Sequence, residues 1–455
     1  MISLRYLRPA AIVGVLMLWS AAAAQSPEAA APPRTLRLTL DAALTMALEQ
    51  NRDVMIADGD RNRAEEQVRE ARAGAFPQLT VSGSYTRNIK KPVLFLPPNS
   101  AINPTNQTMT FELGSDNAYT VAASLSQALF NWRVGLAMDI ANTYHDYAQE
   151  TYRATVENIV MAVKQSFYGV LLARELVQAN RQGLEIVKAN AENVDAQYRN
   201  GTAAEFDKLR AEVQLANTEP LLISAENNYL LAINGLKNLL SIPMGTDVDV
   251  VGELAFEEVP PDVLDAARGE ALRNNPVIAS LVFQESIMEK NIGIERANYF
   301  PVLSLFGQYA FQAQDNTFKF NDYLWAKSFN LGLQLSFPLF DGFRTSARTE
   351  EASIDHQKVR YTRLKTEEGL RLQIQATELK MKEAKERIAA QEKTVAQAEK
   401  AVKIAQTRYK SGVGTQLELL DAQVALTRTR VNYAMAIYDF QNARAQWSNA
   451  VGRPR

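Results

Sequence analysis

The sequence predicts a mainly α-helical protein with a membrane β part, built from one structural unit that occurs twice. Apolar and small residues recur with alternating gaps of four and three over residues 370–409, the heptad pattern of a helix that packs lengthwise against another helix. At four other places apolar and polar residues alternate, as in strands with one buried face. The same order of helices, strands and turns follows in each half of the chain, which indicates an internal duplication.

The chain begins with the features of a secretory signal peptide. Arg5 and Arg8 give a positively charged start, residues 9–20 are mostly apolar, and a run of alanines ends at Ala24. We therefore predict that residues 1–24 are a signal peptide cleaved near Ala24, and that the mature protein is exported. The apolar stretch is short for a membrane span, and an uncleaved anchor is the alternative interpretation.

Composition argues against several classes of protein. The chain has no cysteine, so we expect no disulfide and no lipidation of an N-terminal cysteine. Its 49 basic and 51 acidic residues nearly balance, which gives no sign of a nucleic-acid partner. The two histidines, His145 and His356, fall inside predicted long helices, where a surface residue is a simpler interpretation than a metal ligand. We expect no cofactor, no metal site and no catalytic site, and therefore no enzyme activity.

The first repeat is predicted to span residues 25–241, and residues 242–262, with their prolines and glycines, are predicted to be a linker. A helical region at 40–74 ends before Pro77, because proline cannot continue a helix. The elements that follow are a strand from about 79, an irregular loop at 88–117, a strand at 118–130, a helix at about 133–198, a turn at 200–202 and a return helix at about 204–240.

The second repeat is predicted to span residues 263–455 and to repeat the landmarks of the first. Asn51 and Asn275 each end an Ala-Leu-x-x-Asn box, and Pro77 and Pro301 each precede a strand. After the second pair of strands come a helix at about 344–410, a glycine turn at 411–415 and a return helix from 417. At 1.5 Å per residue the longer helix is about 100 Å long, which predicts a rod or a wall rather than a globular core.

The four predicted strands have the length and the pattern of a membrane β-barrel wall. Each is close to the ~9–11 residues that cross an outer membrane obliquely, with one apolar face and one small, polar face. A water-soluble sheet packed on helices has the same alternation and is the alternative. Four strands cannot close a barrel, so strands in lipid require a barrel shared between copies of the chain. Two copies would give eight strands and a filled interior, whereas three would give twelve and leave a hole.

The chain resembles the outer-membrane efflux protein family typified by TolC over about residues 36–452. The residues that carry the resemblance are the duplicated Ala-Leu-x-x-Asn box, Phe-Pro before a strand, Leu-Phe-Asp-Gly at 339–342, Tyr-Lys-Ser-Gly at 409–412 and Leu-Glu-Leu-Leu-Asp-Ala at 417–422. The resemblance implies a homotrimeric duct, in which a twelve-stranded β-barrel with four strands per chain continues into a long α-helical barrel. It implies a passive outer-membrane channel of a tripartite efflux or type I secretion system.

In such a system the helical part lies in the periplasm of a Gram-negative-type cell. The partners that the resemblance implies are outer-membrane lipid, a periplasmic adaptor protein and an inner-membrane transporter. The adaptor would dock at the tips of the two helical hairpins. The residues that match those tips are Gly201, Thr202, Ala203, Gly412, Val413 and Gly414.

The resemblance also implies a gate where the tips close the periplasmic end. Glu418 and Asp421 match the acidic ring of the constriction, with Glu in place of the usual Asp at the first position. Tyr409 and Asp207 match positions that help tie the tips shut by hydrogen bonding. The family's basic partner in that network would fall at Gly414, so the resemblance implies that this chain builds its closing network differently.

Three copies of Glu418 and Asp421 would place six carboxylates around a narrow hole. Like charges so placed repel, raise one another's pKa and attract cations, which predicts a cation-favouring gate that responds to pH and divalent ions. The alternative is that the two carboxylates stabilise the positive end of a helix dipole. At the level of the whole protein, the alternative is an exported coiled-coil scaffold or adhesin without a channel. The sequence has no cluster of His and Met residues, which disfavours metal ions as the cargo.

Overall fold

A computed structural model describes residues 35–453, so the predicted signal peptide lies outside the described residues. The fold is mainly helical. In chain order its elements are β1 (Leu36–Leu38), α1 (Leu40–Gln50), α2 (Arg52–Ala73), β2 (Gln78–Arg87), β3 (Val93–Leu96), β4 (Met109–Glu112), β5 (Asn117–Phe130), α3 (Trp132–Arg199), α4 (Glu205–Leu239), β6 (Val248–Val250), α5 (Pro261–Asn274), α6 (Pro276–Arg296), β7 (Val302–Asp315), β8 (Ala326–Ser336), α7 (Arg344–Lys410) and α8 (Gln416–Ala450).

The two long hairpins agree with the heptad prediction. Helix α7 has 67 residues and α3 has 68, and the return helices α4 and α8 have 35 residues each. On α7 the seam residues Leu370, Ile374 and Met381 are buried because they face neighbouring helices. The helical layer is one row of packed neighbours, with α2, α3, α6 and α7 next to the sheet and α4, α3, α8 and α7 farther from it.

The predicted helix over 40–74 was wrong at one residue, because Asn51 separates α1 from α2. The Asn51 side chain accepts hydrogen bonds from the backbone N–H of Asp53 and Val54, at 2.8 and 3.2 Å, and so caps α2. Its amide group donates to the carbonyl of Leu239, the last residue of α4, at 2.8 Å. One side chain therefore holds the start of α2 at the end of α4.

Asn275 makes the corresponding contacts in the second half. Its side chain accepts from the backbone N–H of Val277 and Ile278, at 3.0 and 3.3 Å, and donates to the carbonyl of Ala450 at 3.1 Å. Ala450 is the last residue of α8, so α6 is held at the end of α8. We call Asn51 and Asn275 the clasp residues. Their contacts give a physical reason for the asparagine of the Ala-Leu-x-x-Asn box.

All four predicted strands occur, in one antiparallel sheet of order β2-β5-β7-β8. β2 and β8 are the open edges. Phe306, which interrupts the polar face of β7, lies against Gly332 of β8. A Cβ atom on Gly332 would come within 2.7 Å of the Phe306 ring, so the glycine makes room for the aromatic ring on this face.

The prediction of an irregular loop at 88–117 was wrong in part, since this segment contains the β3–β4 hairpin. Leu94 pairs with Phe111 across it. Asn103, which is fully buried, donates to the carbonyls of Leu96, Pro97 and Gln107 and so fixes the connection between the strands. The prolines of the segment flank the strands rather than enter them, and they obscure the short apolar runs in a sequence-based prediction.

Residues 242–262, predicted to be a linker, pack closely on the helices. β6 pairs in parallel with β1, and Phe256 stands edge-on to Phe440 of α8, with ring centroids 4.7 Å apart. β1, α1, β6, residues 251–260 and α5 lie beside the long helices near the clasp residues, and we call them the belt. Two buried apolar clusters join the belt to the helices, one in each half of the chain.

Candidate functional site

The two hairpin turns at the far end of the helical layer are built alike. Gly201 and Gly412 both have φ of +74°, a left-handed conformation that favours glycine. The Gly201 N–H donates to the carbonyl of Tyr198 at 2.9 Å, and the Gly412 N–H donates to that of Tyr409 at 3.1 Å. These bonds use helix-end carbonyls that would otherwise be unpaired. The turns are the two tips that the sequence indicated.

Glu418 and Asp421 lie at the start of α8, just after the second tip. The Thr415 hydroxyl accepts a hydrogen bond from the Glu418 N–H at 3.2 Å and caps the helix. Leu419 and Leu420 are buried and hold this first turn against the other helices, whereas both carboxylates are exposed. Residues three apart lie on one face of a helix, so the two carboxylates present a single acidic patch.

Gly414 is crowded, so the basic residue that the resemblance implies at this position would not fit without a shift of its neighbours. A Cβ atom on Gly414 would lie 2.9 Å from the Cβ of Arg408 and 3.1 Å from the backbone N of Tyr409. Arg408 itself, in the last turn of α7, reaches Glu418, with 3.6 Å between the guanidinium Nε and a carboxylate oxygen. Sequence reasoning missed Arg408. The signal that could have found it is a cation that ends one helix of a tight hairpin while an anion begins the next.

Tyr409 and Asp207 line one cavity of about 420 Å³ between the two tips, together with Gln197 and Arg210. The Tyr409 hydroxyl donates to the Gln197 side chain at 3.4 Å, a long hydrogen bond. Between Tyr409 and Asp207 no hydrogen bond is seen in the described part of the chain. The structure therefore brings together the two residues that were expected to tie the tips, and gives Tyr409 a partner on α3.

A charged cluster joins α3 to α4 just behind the first tip. The Asp195 carboxylate lies 3.1 Å from the Lys208 ammonium and 2.5 Å from the Arg199 guanidinium. The hydrogen bond from Lys208 lowers the pKa of Asp195, and the same bond raises the pKa of Lys208. Both side chains are half-buried but still reach solvent, with 30% of Lys208 and 28% of Asp195 exposed, so we expect the pair to add little stability.

Within residues 35–453, no group of three or more histidine, cysteine, aspartate or glutamate side chains could hold a metal ion. His145 lies 3.6 Å from Asp146, and His356 lies 3.8 Å from Glu285. No helix in this range combines the length and the apolar character that a bilayer crossing needs.

Comparison with known proteins adds to this geometry. The sequence model of the outer membrane efflux protein family matches residues 43–241 and 267–453. The alkaline protease secretion protein AprF of Pseudomonas aeruginosa is 25% identical over 339 residues, which cover 72% of this chain and 69% of AprF. The cation efflux system protein CusC of Escherichia coli K12 is 24% identical over 409 residues, which cover 87% of this chain and 83% of CusC.

Solved structures show the same fold. The crystal structure of the CmeC outer membrane channel of Campylobacter jejuni superposes with a TM-score of 0.76 at 17% identity, covering 91% of this chain and 86% of that one. The family match spans most of the chain and omits only an internal segment, which contains β6 and the start of α5, and the two ends. The chain therefore belongs to the outer membrane efflux protein family.

Proposed function

We propose that three copies of this chain form a passive exit duct through the outer membrane for an efflux or secretion system. One observation carries the proposal: the open edges of the sheet and of the helical layer coincide. β2 and β8 are the two edges of the sheet. In the helical layer, α2 and α4 form one edge and α7 forms the opposite edge. Because α2 leads into β2 and β8 leads toward α7, each sheet edge continues into a helical edge.

Closure of these edges needs further copies of the chain. Successive strands of the sheet are antiparallel, so β8 of one copy runs opposite to β2 of the next and can pair with it. Such head-to-tail contacts close into a ring. Two copies would give eight strands with a filled interior, whereas three give twelve strands and an open lumen, which a duct requires.

The exposed apolar face of the sheet supports a place in lipid. Its exposed side chains include Leu79, Val81, Leu331 and Leu335, with exposed fractions of 72%, 70%, 63% and 68%. Tyr85 stacks on Tyr119 at the far end of the sheet, and Trp132 stacks on Phe300 at the helical end. Aromatic rings at both ends of an apolar band are the pattern of outer-membrane barrels.

The two halves correspond in contacts as well as in order, which supports an origin by duplication of residues 25–241 and 263–455. The clasp residues bond equivalent helix ends, and α4 and α8 are equal in length. In this proposal residues 242–262 connect the repeats as part of the belt. Residues 1–24 are proposed as a signal peptide cleaved near Ala24, and the mature protein is proposed to carry no lipid.

We place the gate at the tips, where three copies of Glu418 and Asp421 form an acidic ring. Tyr409 and Asp207 lie in the cavity between the tips, where they can bond to a neighbouring copy. The turns Gly201-Thr202-Ala203 and Gly412-Val413-Gly414, exposed except for the half-buried Ala203 and Gly414, are the proposed docking surface for a periplasmic adaptor, which would link the duct to an inner-membrane transporter. The relatives include a protease secretion protein and a cation efflux protein, so no cargo is proposed.

The experiment that tests the duct is bilayer conductance of the purified protein. We expect a discrete channel that favours cations, and we expect Glu418→Ala with Asp421→Ala to raise conductance and reduce cation selectivity, because the acidic ring is removed. An unchanged conductance and selectivity in the double variant would refute the gate. Native mass separates a trimer from other assemblies. A protein that a salt wash releases from membranes would favour the scaffold or adhesin instead.

A further inference from the structure

A groove of about 790 Å³ lies in the belt, between α5 and α7 in the second half of the chain. We call it the belt groove. Its floor is apolar and buried, and it includes Ala271, Ile374, Met381 and Phe440, which are 1–4% exposed. Charged side chains from α5, α7 and residue 258 stand around the floor. The groove lies away from the tips and takes no part in the proposed gate.

The corresponding place in the first half is occupied by the chain itself. Counting back from the two tips, Ile374 and Met381 of α7 correspond to Val163 and Val170 of α3, which are buried. The segment that contains β6, residues 248–252, lies over this part of α3. Phe167 and Leu171 of α3 touch it at Gly252, where a Cβ would be 3.4 and 3.6 Å from their side chains.

Arg174 fixes the backbone of that segment. Its guanidinium donates to the carbonyl of Val250 at 2.9 Å and to the carbonyl of Gly252 at 2.5 Å. An extended chain with apolar contacts below it and a cation bonded to its carbonyls therefore fills the first-half site. This is the same device by which peptide-binding proteins hold an extended ligand, with backbone bonds for affinity and side-chain pockets for specificity.

In the second half the apolar floor is kept, but the equivalent positions around it carry charge. Glu378, Lys382 and Lys385 stand where the first half has Phe167, Leu171 and Arg174. Arg268 of α5 binds Glu378 through two hydrogen bonds, at 3.1 and 2.5 Å, and Lys385 forms an ion pair with Glu258.

Lys382 differs from Arg268 and Lys385, which are paired with carboxylates. It is exposed, and within residues 35–453 it has no ion-pair partner. Arg371, on the same side of the groove, has within that same range only Glu367 as a partner, at 3.9 Å. The open cations of the groove thus outnumber its open anions, which suits a ligand with a carboxylate.

We propose that the belt groove binds an extended acidic peptide segment of another protein. The apolar side chains of that segment would lie on Ile374, Met381 and Phe440. Lys385 would donate to its backbone carbonyls, as Arg174 does to residues 250 and 252, and a carboxylate of the segment would pair with Lys382. The proposal is independent of the gate and of the cargo, since the belt groove lies beside the helices and not at their tips.

The test uses the full-length protein in lipid nanodiscs with one engineered cysteine. Because the chain has no native cysteine, Asp265→Cys at the rim of the groove can be labelled with an environment-sensitive dye without background. The probe is a synthetic peptide with the sequence of residues 246–254, Thr-Asp-Val-Asp-Val-Val-Gly-Glu-Leu. It has the alternating apolar residues and the carboxylates that the groove requires. The control peptide has Asn in place of both aspartates.

We expect a saturable change in dye emission with the acidic peptide. Lys382→Glu and the Asn peptide should each weaken binding by about tenfold or more, because each removes one charge-assisted contact. Lys380→Glu is the matched control, since Lys380 is also exposed on α7 but does not line the groove, and it should bind as the parent does.

Four results would overturn the proposal. The first is no saturable signal, and the second is equal binding by the Lys382→Glu and Lys380→Glu proteins. The third is an engineered cysteine at position 265 that the dye cannot reach in the intact assembly, which would mean that a neighbouring copy already covers the groove. The fourth is a response to sodium decanoate without a response to the peptide, which would favour a small amphiphile.

Discussion

Each clasp asparagine satisfies three backbone groups at a helix junction. Asn51 accepts from two N–H groups at the start of α2 and donates to the last carbonyl of α4. Aspartate would keep the acceptor for the cap but would lose the donor, and alanine would lose both. The two roles can therefore be separated by substitution at a single position.

We expect Asn51→Ala to lower the free energy of unfolding by about 2–3 kcal/mol, and Asn51→Asp by about 1–2 kcal/mol, because a lost cap and an unpaired, partly buried carbonyl each cost ~1 kcal/mol or more. The measurement is the urea midpoint of the helical circular-dichroism signal. Asn62→Ala is the control, since Asn62 is exposed and bonds the nearby Asp58 side chain on the same helix. An Asn51→Asp protein that unfolds at the parent midpoint would show that the bond to Leu239 adds nothing.

A second residue-scale prediction concerns the crowded Gly414. Gly414→Arg would introduce the basic side chain that the resemblance implies at this position, but its Cβ would press against Arg408 and the backbone of Tyr409. We expect the second tip to loosen and to be cut several-fold faster in limited proteolysis. Val413→Arg adds the same charge at a site that is 72% exposed, so it should be cut like the parent. Equal cutting of both variants would mean that the turn accommodates a side chain.

At the scale of single elements, α3 contains a buried carboxylate close to the belt. Glu157 is 4% exposed, and its burial raises its pKa from 4.5 to about 7, while Arg153, 3.6 Å away, acts in the opposite direction. Between pH 4.5 and about pH 7 the folded protein thus holds a proton that the unfolded chain releases. The contribution of Glu157 to stability must fall as the pH rises through this window.

The melting temperature, measured across that pH range, tests this sign. We expect Glu157→Gln to remove part of the decline in stability with rising pH, because glutamine does not ionise. Glu185→Gln, on the exposed side of the same helix, should keep the full decline. If Glu157→Gln melts with the parent's pH dependence, the carboxylate is charged in the folded protein and its pKa is not raised.

The two faces of β8 allow a matched test of the membrane proposal. Leu331 is on the exposed apolar face, and its neighbour Asn330 points to the polar face. Arginine on the lipid face of a barrel costs ~2–4 kcal/mol near the middle of the bilayer, whereas lumen positions tolerate it. We expect Leu331→Arg to deplete the protein from outer-membrane fractions and Asn330→Arg to leave its amount unchanged. The opposite order would mean that the apolar face does not meet lipid.

The sequence predicted the elements that form through interactions between residues close together in the chain, and it missed those that need residues far apart. The approximate bounds of α3, α7 and the four strands follow from local sequence patterns, namely heptad seams, alternation of apolar and polar residues, and glycine turns. The pairing of β1 with β6 joins three residues near the start of the chain to three that lie far along it, and no local pattern marks either. The sequence shows that position 414 carries a glycine where the resemblance implies a basic residue. The crowding of Gly414 by Arg408 appears only in the folded turn.

At the scale of the whole molecule, four neighbouring columns of helix continue into four neighbouring strands. The clasp residues join α4 to α2 and α8 to α6, while α3 and α7 run through without a break. The result is a wall segment with two open sides rather than a closed body. Everything proposed for the duct depends on how those two sides meet.

Cysteine cross-linking tests that meeting directly, because the chain has no cysteine of its own. In one chain β2 and β8 are separated by two strands, so they lie about 14 Å apart at the usual strand spacing, too far for a disulfide. We expect Val81→Cys in β2, combined with a cysteine at one of the same-face positions of β8, to give a covalent trimer after oxidation. The positions to try are Leu331, Leu333 and Leu335.

Each single-cysteine protein should remain a monomer on a denaturing gel, and so should the pair of Val81→Cys with Gln334→Cys, whose side chains lie on opposite faces. A covalent ring of three requires both cysteines in every copy and a head-to-tail contact between β8 and β2, since a symmetric back-to-back contact would stop at two. Cross-linked dimers without trimers would exclude the three-copy ring. If no cysteine of β8 forms a cross-link with Val81→Cys, the two sheet edges are unpaired. Unpaired edges are not tolerated in lipid, so this result would contradict a place for the sheet in the membrane.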